Sequence, residues 1–100
     1  MKLSQLFKRN NGSPKVYSGG NGLSTKDSII INPGDNPFLG VFYEYKFLEK
    51  KHGQRNLEWF LVRQSLIHEK NKSFDKMEIT LQDGTKKEYF FDITSFFGLY

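Results

Sequence analysis

Between Phe74 and Ile93 the chain alternates apolar and polar residues on either side of Gln82-Asp83-Gly84, and few folds accommodate that pattern. A period of two marks strands with one buried face, and Asp-Gly between two such runs marks a hairpin. Loop length then decides which residues meet. A two-residue Asp83-Gly84 turn would set Ile79 against Glu88 and Leu81 against Lys86, placing charges beside apolar side chains. A three-residue loop with Gly84 left-handed sets Leu81 against Thr85 instead. Met77, Ile79 and Leu81 then share a face with Tyr89, Phe91 and Ile93, so the three-residue loop is the expected register.

A further strand is expected at about 57–68, where Leu57-Glu58-Trp59-Phe60-Leu61-Val62 is rich in β-formers. Ahead of it lies the best helical pattern in the chain. Val41, Tyr45, Leu48 and His52 recur at helical spacing, flanked by Phe38, Phe42 and Phe47. Asn36-Pro37 suits the start of this helix and Gly53 its end, with Lys50 and Lys51 at the negative end of its dipole. The spacing predicts a helix over 38–52. Upstream, Ile29-Ile30-Ile31 predicts a strand at about 28–32 and Lys15-Val16-Tyr17 a short one, while Ser24 and Asp27 predict one capped turn. Thr94-Ser95-Phe96-Phe97 is expected to turn and pack back on the body. The fold class is therefore α+β. One main helix packs on a mostly antiparallel sheet of three to five strands, in the order β-β-α-β-β-β.

A chain of 100 residues holds one core, and ten Phe, five Tyr and one Trp supply it with large apolar side chains. There is no cysteine, which excludes disulfides, thiolate metal sites and thiol nucleophiles. The net charge of +4 has a local origin. Lys2, Lys8, Arg9 and Lys15 account for all of it, and the remaining eleven basic side chains balance eleven acidic ones. Residues 1–13 are read as a basic, flexible N-terminal tail and 14–100 as a single α+β domain. The balanced body gives no excess of cations for a specific nucleic-acid face. In the tail, Leu3, Leu6 and Phe7 share a helical face, which would allow weak contact with a membrane surface. No apolar run reaches secretory or membrane-spanning length, so the expected location is cytoplasmic.

The strand at 57–68 carries apolar side chains on both faces, Trp59 and Leu61 on one, Phe60 and Val62 on the other. One helix covers one face of a sheet. The second face then needs cover from the 15–32 segment, from Phe96-Phe97 or from another protein. Trp59, Phe60, Val62 and Phe90 are the candidate partner surface.

Catalytic motifs are sparse. Gly20-Asn21-Gly22 only half-resembles a dinucleotide fingerprint, and no long helix follows it. His52 and His68 have no metal-ligand spacing, and no nucleophile elbow occurs. Glu44 lies on the flank of the helix's apolar face, where burial would raise its pKa and where Arg63 is the expected ion-pair partner. A ligand-binding reading would use Gly20, Gly22, Lys26, Glu44 and Arg63. Asp75 and Asp92 read as turn or cap residues.

Taken together, Ser18-Gly19-Gly20-Asn21-Gly22, Ile29-Ile30-Ile31, Glu44-Tyr45, Trp59, Gln64-Ser65-Leu66, Asp83-Gly84 and Phe91-Asp92-Ile93 resemble a pattern in small uncharacterised bacterial proteins over about residues 17–98. That resemblance implies no activity. The strand–helix–three-strand order is also similar to the cystatin-like layout, in which a sheet wraps one helix, and a layout does not give a function. The expected function is a non-enzymatic interaction module that binds a protein partner, or itself, through the sheet's second face or an edge. One alternative is a small ligand-binding or enzymatic domain with a pocket near Glu44, Arg63 and the 18–27 loop. Another is attachment to membrane or nucleic acid through residues 1–15. No cofactor and no metal is implied.

Overall fold

A computed structural model describes residues 15–99 of the chain, so the expected tail at 1–13 lies outside the described residues. The elements are β1 (Tyr17–Gly19), β2 (Ile29–Ile31), α1 (Leu39–His52), β3 (Trp59–Glu69), β4 (Lys72–Leu81) and β5 (Lys86–Asp92). They form the α+β arrangement read from the sequence, one helix on a five-stranded, mostly antiparallel sheet ordered β1-β2-β5-β4-β3. Only β2 and β5 run parallel. Strands β2, β5 and β3 therefore share a direction, and α1 carries the chain past β5 and β4 to the far edge.

The β4–β5 hairpin has the three-residue loop. Leu81 N donates to Thr85 O at 2.8 Å, Met77 faces Tyr89, and Gly84 has φ +89°. A glycine takes that left-handed angle without the Cβ clash other residues meet. The β3–β4 hairpin closes through Lys70 and Asn71, both at positive φ, as a two-residue turn of the type that matches strand twist.

Strand β3 holds one feature that alternation alone does not show. Its pairing with β4 slips by one residue between Leu61 and Arg63, so Val62 sits in a bulge. Before the bulge, Trp59 and Leu61 face the helix. After it, Gln64 and Leu66 face the helix, opposite Met77 and Asp75, while Arg63 turns to the second face opposite Glu78.

The most buried stripe of α1 is Gly40, Glu44 and Leu48, rotated slightly from the expected one. The rotation follows from Gly40. A Cβ there would collide with the ring of Phe96, so the bare backbone lets α1 sit down on the C-terminal turn. Ile29, Ile31, Leu48, Trp59, Met77, Ile79, Tyr89, Phe91, Ile93 and Phe96 form the core between helix and sheet. Trp59 Nε1 donates to Gly53 O at 2.8 Å and its ring stacks on Tyr45, tying the end of the helix to the start of β3.

The second face is less apolar than the sequence implied. Its middle rows are charged, with Arg63 at 3.9 Å from Glu78 and Lys76 at 3.4 Å from Glu88. At the end of that face Phe74 is buried, beside Ile30 two strands away. The 20–28 segment flanks this end, its Thr25 Oγ1 donating to Glu69 Oε1 at 3.2 Å. Phe96 packs on the helix face instead, and Phe97 meets His68 edge to face.

Candidate functional site

The residues named for a pocket do not converge. Glu44 is completely buried under α1, whereas Arg63 stands on the opposite face of the sheet and pairs with Glu78. The Glu44–Arg63 ion pair expected from the sequence is therefore not formed, and the bulge at Val62 is the reason. Without it, Arg63 would continue the Trp59–Leu61 face and point at the helix.

Glu44 meets Asp75 instead. Neither Glu44 oxygen has a donor to accept from, and burial, then the hydrogen bond to Asp75 and its charge, push the Glu44 pKa up to about 10. With its pKa raised this far, Glu44 keeps its proton at physiological pH, which leaves it able to donate toward Asp75 rather than repel it. Gln64 Nε2 donates to Asp75 Oδ2 at 3.2 Å and Tyr45 OH to Gln64 Oε1 at 3.4 Å, extending the network to the edge of the sheet. Asp75, which reads in the sequence as a turn or cap residue, lies within β4. Its even spacing from Met77 was the available signal that it faces the helix. A group sealed this completely has no route to a substrate, so the pair is structural.

The glycine loop spends its donors internally. Gly20 N donates to Ser28 O at 3.0 Å and Gly22 N to Asp27 O at 2.7 Å, leaving neither for a phosphate. Lys26 lines an open cleft of about 450 Å³ with Lys70, Lys72 and Asp92, over a floor of Ile30 and Phe74. Asp92 is held there by Thr94 and by Lys72 at 3.9 Å. Glu44 and Arg63 are not part of it. Among the described residues no cluster of three or more histidine or acidic side chains is placed to hold a metal ion. No helix there is long and apolar enough to cross a membrane.

The partner-surface residues divide. Trp59 is fully buried and leaves that set, because it faces α1. Phe90 is half-buried beneath the Lys76 ammonium, 5.9 Å from its ring centre. Phe60 and Val62 remain, 41% and 65% exposed, and the structure adds Leu57 at 54% and Leu66 at 49%. All four lie on or just before β3, the last strand in the sheet.

The backbone of β3 makes this line of residues more than an apolar stripe. Ile93 N donates to Ser73 O, so the odd-numbered residues of β4 turn their backbone groups toward β5 and the even-numbered ones toward β3. Their partners on β3 are Arg63, Ser65, Ile67 and Glu69. Gln64, Leu66 and His68 consequently direct their N–H and C=O groups outward. The Gln54–Asn56 turn covers only the start of this edge, where Asn56 N donates to Trp59 O at 2.7 Å. Among the described residues, no strand pairs with the outer side of 63–69.

No protein-family model matches this chain, and no curated protein or solved structure matches it either.

Proposed function

We propose that the protein is a non-enzymatic interaction module that captures an extended polypeptide segment along the outer edge of β3. One observation carries this reading. Gln64, Leu66 and His68 on the outer edge of β3 turn their backbone groups outward with, among the described residues, no strand paired to them, and exposed Leu57, Phe60, Val62 and Leu66 border the same strand. An added strand would satisfy the outward N–H and C=O groups, and the flanking apolar side chains would select what binds. Among the described residues the other edge, β1, is three residues long and offers far less. An enzymatic reading has less support, because the perturbed carboxyl is sealed in the core and Arg63 is on the other face.

The test is a selection of displayed extended peptides on the purified protein, followed by titration of the isotope-labelled chain with the selected sequences. Amide shifts should concentrate at Gln64, Leu66 and His68. Peptides that perturb β1 or the 18–27 loop instead, or a selection that enriches nothing, would overturn the reading.

A further inference from the structure

Resting on that reading, we infer that the segment paired with β3 is β3 of a second copy, aligned antiparallel about Leu66 so that Arg63 of each chain stands opposite Glu69 of the other. Three features of the strand lead there. Hydrogen bonding across an antiparallel edge joins residues whose backbone groups face outward, so Gln64, Leu66 and His68 must pair among themselves. A two-fold axis at Leu66 meets that condition, setting Gln64 against His68 of the other copy and Leu66 against itself.

The same axis places Arg63 and Glu69 of the two chains in non-hydrogen-bonded pairs, where opposing side chains approach most closely. Both lie on the second face of the sheet. Shifting the axis to Gln64 sets Arg63 against Ser65 and draws the Val62 bulge into the ladder. Moving it to His68 sets Glu69 against Ile67. Of these three registers, only the one about Leu66 matches the charges.

The length agrees as well. The regular part of β3 runs from the bulge to the turn at Lys70, which is the span from Arg63 to Glu69 that this register uses. The exposed Leu66 side chain is then buried against its own copy at the axis. Because paired residues share a face, both helices lie on the same side of one continuous sheet.

Sedimentation of the full chain across the micromolar range tests this, with three variants. Arg63→Glu and Glu69→Arg should each raise the dissociation constant about tenfold, since either one sets like charges in opposition at both ends of the pairing. A mixture of the two single variants should recover wild-type affinity, because each supplies the charge the other lacks. Leu66→Pro removes an N–H that the monomer does not use and should yield a folded monomer, checked by its circular dichroism and melting. Association that survives Leu66→Pro overturns the inference, as does association indifferent to the charge exchange. A wild-type chain that stays monomeric overturns self-pairing but leaves peptide capture standing. Failure of the peptide selection as well would remove the broader reading.

Discussion

Glu44 of α1 and Asp75 of β4 bring two carboxyl groups together in the core, where burial first and the neighbouring carboxyl second raise the Glu44 pKa. The consequence is a stability that depends on pH in a direction set by the raised pKa. Folded Glu44 keeps its proton up to about pH 10, whereas the unfolded side chain releases it near 4.5. The folded state binds the extra proton between those values. This contribution to stability is therefore complete below about 4.5 and declines as the pH rises toward 10. Glu44→Gln keeps the shape and a donor for Asp75 but removes the titration. Urea midpoints of the two proteins should coincide near pH 4, with the wild type falling behind as the pH rises to 9. The limiting slope is about 1.4 kcal/mol per pH unit. Parallel profiles would mean that Glu44 is ionised in the fold.

A second prediction concerns Gly40 and Phe96. Gly40→Ala should destabilise the protein by about 1–3 kcal/mol despite alanine's better helix propensity, because the new methyl strikes the Phe96 ring. Phe96→Ala alone should cost about 3–5 kcal/mol through its cavity. In the double variant the methyl has room, and the two losses should be less than additive. Additive losses in denaturant titrations would show that α1 does not rest on the C-terminal turn.

His52 gives a third. Its Nε2 and the Tyr89 hydroxyl are hydrogen-bonded at 2.8 Å. Burial, with the charges of Lys51 and then Lys87 adding to it, holds its pKa below the ordinary 6.5. A depressed base contributes stability that is present above 6.5 and lost as the pH falls through its folded pKa. The ring resonances of His52 should titrate with a midpoint below 6.5, and Lys87→Gln should move that midpoint upward. A wild-type midpoint at or above 6.5 would contradict the half-buried, neutral imidazole.

The sequence made the β4–β5 hairpin legible because turn chemistry and side-chain alternation constrain the same register. Gly84 must be left-handed, and only one loop length keeps Met77, Ile79 and Leu81 with Tyr89 and Phe91. The helix was legible for similar reasons, its bounds set by Gly53 and the turn before Leu39. Strand β3 was not. A single extra residue at Val62 reverses the facing of everything after it, and nothing in Leu61-Val62-Arg63 marks the bulge. That one slip moved Arg63 away from Glu44 and brought Gln64 toward Asp75. It also gave Gln64, Leu66 and His68 the outward backbone groups on which the proposed function rests. Trp59 was misplaced for a different reason. Apolar side chains on both faces of a strand do not say which face is the core, and contact with Gly53 and Tyr45 decides it.

The most direct measurement of the central claim is residue-resolved amide exchange along β3, at low and high protein concentration and with a selected peptide. In dilute protein the amides of Gln64, Leu66 and His68 should exchange fast, while those of Ser65, Ile67 and Glu69, bonded to β4, are protected. Saturating peptide, or self-pairing at high concentration, should slow the first three and leave the second three unchanged. Fast exchange at Gln64, Leu66 and His68 under every condition would contradict strand capture at this edge. So would protection of those amides already present in dilute, unbound protein.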